Sequence, residues 1–140
     1  MTLNDFLGPE PDIVDLRSET RWGAIEELIH HLVTTGRIAA EHRDEIAMAV
    51  RRREEAVSTA IGLGIALPHA TTGLVPDVIC APGRSRKGLQ FDALDGKPVH
   101  AVILLLVPPG QLEKHLHILA NIAGLLHQDD FRKQFWGGFM

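Results

Sequence analysis

The chain has 140 residues, 45% hydrophobic and 23% charged, which suits one domain with a substantial core. Its net charge of −4, with the eight histidines counted neutral, gives no general attraction to nucleic acid or anionic lipid, both of which require a basic surface. The single cysteine, Cys80, excludes an internal disulfide and a Cys-based zinc site, and its apolar neighbours Ile79 and Ala81 make it a core residue.

Met1 to Phe6 lacks the basic and apolar regions of a signal peptide, and no apolar run is long enough to span a bilayer. A cytoplasmic location without membrane insertion is therefore expected. Gly8-Pro9-Glu10-Pro11 belongs to a lead-in covering residues 1–12, not to a linker between domains. Ser18 offers an N-cap, and Trp22, Ile25, Leu28, Ile29 and Leu32 follow at helical spacing, with Gly36 as the terminating residue. A second helix is predicted from about Ala40 to Arg53, with Ile46, Ala49 and Val50 on one face.

From Ala56 to Leu67 the chain carries no charge and is rich in glycine and aliphatic residues, which breaks any helix and allows close backbone approach. Val75 to Ala81 reads as a strand interrupted by Pro76, Leu89 to Leu94 as a half-buried strand, and Asp95-Gly96-Lys97-Pro98 as a turn. Val99 to Val107 gives the strongest strand signal, an aliphatic run expected at the centre of a sheet covered on both faces. Pro108-Pro109-Gly110 ends it. In the last predicted helix, advancing roughly 100° per residue from Leu112 places Leu116, Leu119, Ile122, Ala123 and Leu126 on one side. His115 falls inside that apolar face, whereas His117 points to the polar side. Helices around aliphatic strands indicate a single α/β domain spanning residues 1–140.

Among the residues able to carry chemistry, His69 follows Pro68, which fixes its own φ and holds Leu67 extended. A neutral imidazole is a nitrogen nucleophile near pH 7 without an activating base. The residues alone leave two readings open, a positioned nucleophile or a surface histidine at a strand end. His115 is either a polar partner at the same cleft or a core-edge histidine bonded to a carbonyl. One of Arg51, Arg52 and Arg53 has the planar fork to hold a phosphoryl group, but helix capping and solvation account for at least two, and the pattern does not choose. The histidine spacings place no two rings on one helical side, so no metal site is expected. Gly62-x-Gly64 is too short for a dinucleotide fingerprint, so no nucleotide cofactor is expected either.

The segment from Arg53-Glu54 through Ser58-Thr59-Ala60-Ile61-Gly62 to Gly64-Ile65-Ala66-Leu67-Pro68-His69 resembles the active-site segment of the fructose/mannitol-type enzyme IIA domains. These belong to the bacterial phosphoenolpyruvate-dependent sugar phosphotransferase system and include nitrogen-regulatory paralogues. Asp95-Gly96-Lys97-Pro98-Val99, Leu104 to Pro108, and His115-Leu116-His117-Ile118-Leu119-Ala120 resemble further family motifs in the family's order. The resemblance implies a mixed β-sheet flanked by helices and a phosphoryl carrier that needs no cofactor. It implies that His69 accepts a phosphoryl group from the phosphocarrier HPr and passes it to an enzyme IIB. The alternative it carries is a nitrogen-related regulator whose His69 phosphorylation controls contact with other proteins. It further implies that His115 orients the phosphoryl group, that Arg53 stabilises it, and that Ser58 and Thr59 line the pocket. Ala60 stands where the family has glycine and Leu63 where it often has asparagine. The C-terminal helix is expected to be shortened.

Overall fold

The structure is a computed structural model that describes residues 13–56, 60–62, 64–91 and 96–111. Val14–Asp15 (β1) leads into helix α1, Arg21–Thr34, and a single 3-10 turn, Ala40–His42, precedes helix α2, Arg43–Ala56. Strands β2 (Ala60–Gly62), β3 (Ile65–Ala66), β4 (His69–Thr71), β5 (Ile79–Leu89) and β6 (Val99–Val107) follow. They form one mixed sheet in the order β1-β5-β6-β3-β2, with β4 also paired to β6. β5 runs antiparallel to β6, whereas β3 and β4 run parallel to it, one after the other along its length.

β6 occupies the place its composition predicts. Every residue of it except His100 is buried, and burying each such aliphatic side chain contributes about 1.5–3 kcal/mol. Val102, Leu104 and Leu106 pack with Leu28, Ile29 and Ile46 of the two helices. Ala101, Ile103 and Leu105 alternate with them onto the other face and are equally buried.

The first helix closes as its sequence predicts. Arg37 N–H donates to the Leu32 carbonyl (2.8 Å) and Gly36 N–H to the Val33 carbonyl (3.0 Å), with Gly36 at φ 80°. Its start differs. Thr20, not Ser18, is the N-cap, accepting the Gly23 N–H at 3.1 Å. Ser18 is held elsewhere, because the Glu27 carboxylate accepts its backbone N–H (2.6 Å) and that of Arg17 (3.0 Å). Partial burial of Glu27 raises its carboxyl pKa, but the Ser18 hydroxyl and these two N–H groups outweigh that and hold it below its ordinary 4.5. Stabilisation from a lowered carboxyl is complete above its unfolded value and disappears as pH falls through the lower folded one. Glu27→Gln should therefore cost about 1–2 kcal/mol at pH 7. Denaturant curves of variant and wild type should converge as pH falls below about 4.5.

Three more sequence expectations are revised. The second helix begins at Arg43 and runs on to Ala56, and its buried row is Ile46, Ala47, Val50 and Glu54, with Ala49 only partly covered. The strand expected from Val75 starts at Ile79, because the Asp77 carboxylate takes the Val78 N–H at 2.8 Å and diverts it from the ladder. That strand then continues to Leu89. In the described part of the strand expected at Leu89–Leu94, Leu89 ends β5 and Gln90 forms an isolated bridge with Thr20. Asp92 to Asp95 and the predicted last helix lie outside the described residues.

Candidate functional site

His69 opens β4. The glycine-rich segment before it is not one strand, since β2 and β3 pair antiparallel and Leu67-Pro68 separates β3 from β4. β3 and β4 both align on β6, with Ile65 opposite Ala101 and His69 opposite Leu105. The Pro68 carbonyl accepts the Leu105 N–H at 2.9 Å, which carries the pairing across the proline that cannot itself donate. Ala70 belongs to the core under the helices, so His69 and Thr71 project from the opposite face of the sheet.

The half-buried His69 ring is oriented by its own backbone. Nδ1 lies 3.0 Å from the Leu67 carbonyl oxygen. A carbonyl oxygen can only accept, so the bond places the proton on Nδ1 and leaves the lone pair of the neutral ring on Nε2. No base is needed to expose it. As Nε2 attacks an electrophile, the positive charge that develops on the ring meets the Leu67 carbonyl dipole.

Arg53 lies exposed in the last turn of α2, the helix that packs against β4. Of its neighbours, Arg51 is committed. Its guanidinium lies 4.7 Å from the centre of the Trp22 ring and its Nε donates to Glu55 at 2.9 Å. Arg52 is exposed as well. Ser58, Thr59 and His115 lie outside the described residues, so only His69 and Arg53 of the sequence-derived set are placed.

Two features escape the sequence pattern. Glu54 is 1% exposed and completes the row Ile46–Val50–Glu54 facing the sheet, a signal that i, i+4 spacing contains. The Leu67 carbonyl is a backbone atom and leaves no residue signature. Cys80 offers no rival nucleophile, since burial pushes its thiol pKa up to about 12, against a smaller lowering by Arg37. Among the described residues no three His, Cys, Asp or Glu side chains converge as a metal site, and no helix is long and apolar enough to cross a membrane.

Fold and site together define a mixed-sheet α/β domain that presents the Nε2 lone pair of one histidine from the start of a strand. The chain belongs to the family described as phosphoenolpyruvate-dependent sugar phosphotransferase system, EIIA 2, whose model matches residues 9–136. It is 38% identical over 115 residues to the fructose-specific EIIA component of Haloferax volcanii, covering 82% of this chain and 73% of that protein. It is 32% identical over 134 residues to the fructose-specific EIIABC component of Bacillus subtilis, matching 96% of this chain but spanning only 21% of that larger protein. Among solved structures, nitrogen regulatory protein IIA-Ntr from Neisseria meningitidis superimposes with a TM-score of 0.77 at 29% identity, over 88% of this chain and 82% of that one.

Proposed function

We propose that the chain is a phosphoryl carrier, loaded on Nε2 of His69 by HPr and unloaded to an enzyme IIB. The observation that carries this reading is the bond from His69 Nδ1 to the Leu67 carbonyl, which leaves Nε2 as the nucleophile. In the transfer, the new N–P bond forms at Nε2 while the N–P bond to the donor's histidine breaks, and the Nδ1 proton stays in place. No metal on this chain takes part in the proposed step. Positioning and charge stabilisation supply the rate. Arg53 would offset the charge of the phosphoryl oxygens, His115 would hold them, and Ser58 and Thr59 would line the pocket, as the family motifs imply. The name of the Bacillus relative joins A, B and C components, which supports an enzyme IIB as the acceptor.

The test is incubation with phosphoenolpyruvate, enzyme I and a cognate HPr. One acid-labile, alkali-stable phosphoryl group should appear, and nitrogen-15 NMR of the ring should place it on Nε2. A chain that stays unmodified, or carries phosphate on Nδ1, refutes the reading.

A second reading is a regulator whose partners respond to the phosphorylation state of the same His69. The likeness to IIA-Ntr at 29% identity favours it, as does 41% identity over 80 residues to the nitrogen regulatory protein of Pseudomonas aeruginosa. The two readings share their chemistry and differ in the fate of the phosphoryl group. Rapid discharge to an enzyme IIB supports the carrier. A stable phospho-form that changes binding to a non-transport protein supports the regulator.

A further inference from the structure

At the opposite end of β6 from His69, the backbone of β5 departs from regular pairing. Arg84 is opposite Ala101 and Leu89 is opposite Val99, so Ser85 to Gly88 face the single residue His100. Such a bulge redirects side chains and is common beside functional sites. This one is held from within. The buried Ser85 hydroxyl accepts the Gly88 N–H at 3.1 Å, and His100 Nδ1 donates to the Ser85 carbonyl at 2.7 Å. Gly88 has φ 90°, and a Cβ there would lie 2.7 Å from Pro98 Cβ, so the turn requires glycine.

The bulge brings Arg84, Arg86 and Lys87 together with Arg17 around a cleft of about 510 Å3. Four of the chain's 14 lysines and arginines thus meet at one place on a chain of net charge −4. His100 and Leu105 are five positions apart on β6, which separates this cleft from the His69 end by roughly 16 Å along the strand.

We infer that this cleft is a second site, independent of His69, that takes a small phosphorylated anion. Its volume falls within the roughly 300–1,000 Å3 typical of small-molecule sites. Guanidinium forks match phosphate oxygens. The carboxylates already nearby narrow the class of ligand. Asp15 bonds Arg84 at 2.6 Å, Glu19 approaches Lys87 at 3.5 Å, and Glu27 beside Arg17 is occupied by backbone N–H groups. A monocarboxylate would gain nothing over these groups. A phosphate dianion, with more charge and three acceptor oxygens, outcompetes the exposed Asp15 and Glu19.

The test is an amide NMR titration of the full chain with inorganic phosphate and with glycerol 3-phosphate, at constant ionic strength set with chloride. Saturable shifts are expected at residues 15–18 and 84–88 and should persist in His69→Ala. The double variant Arg86→Ala/Lys87→Ala should bind at least about tenfold more weakly, with its melting temperature nearly unchanged because both side chains are exposed. Tighter binding of the ester than of inorganic phosphate assigns the site to a metabolite, and equal binding assigns it to the phosphate group alone. Shifts that never saturate, or equal affinity in the double variant, overturn the inference. A response confined to the His69 region also overturns it and leaves the carrier reading standing.

Discussion

Replacing His69 with alanine is expected to abolish phosphoryl uptake and leave the fold in place. In the proposed transfer the lone pair on Nε2 forms the N–P bond, and alanine has no atom to substitute for it. Structurally the loss is small. The ring is half-buried and its Nδ1 bond goes to a neighbouring carbonyl, so the cost is about 1 kcal/mol, or a shift of a few degrees in melting temperature. The backbone contacts that set the strand, from Pro68 and His69 to Leu105, do not involve the side chain. Mass spectrometry after incubation with phosphoenolpyruvate, enzyme I and HPr should therefore show one added phosphoryl group on wild type and none on His69→Ala, at matching circular dichroism. His69→Gln places an amide group near the Nε2 position and should be equally dead, because an amide nitrogen is not nucleophilic. Labelling of either variant would move the acceptor to another residue, and His115 would be the first to test.

The same ring marks the limit of what is legible in the sequence. Pro68 and the aliphatic run Val99 to Val107 are readable because each acts through local chemistry, a fixed φ in one case and two-sided burial in the other. Helix α1 is readable almost to the residue, since a 3.6-residue apolar period and a C′ glycine both mark it. Its N-cap is not, because Glu27, nine residues away, captures Ser18, and long-range partners leave no local trace. Strand β5 is only half legible for a related reason. Ala81-Pro82-Gly83-Arg84-Ser85-Arg86-Lys87-Gly88 has the composition of a loop, but pairing with β6 on one side and β1 on the other makes it a bulged strand. Its basic residues are plain in the sequence, whereas the turn that gathers them depends on contacts with His100 and Pro98. The candidate nucleophile itself is legible as a residue type after a proline. Which of its nitrogens keeps the lone pair is not, because a main-chain carbonyl decides it.

Arg53 gives the second large effect, and its neighbours make the experiment selective. The C-terminal end of α2 carries the negative pole of the helix, which favours a cation in its last turn. Arg53 lies in that last turn, on the helix that packs against the strand beginning with His69. If Arg53 takes the role proposed for it, Arg53→Ala should slow transfer by about a hundredfold or more, the usual cost of losing one donor to developing charge. Arg53→Lys keeps the charge but loses the bidentate fork, so about a tenfold loss is expected. Arg51→Ala is the control. Its guanidinium is spent on Trp22 and Glu55, so its removal should cost about 1 kcal/mol of stability and leave the transfer rate unchanged. Stopped-flow or rapid-quench transfer from phosphorylated HPr to the three variants separates these effects. Wild-type rates in Arg53→Ala, or equal slowing in Arg51→Ala, would remove Arg53 from the phosphoryl site and leave its charge to serve the helix end alone.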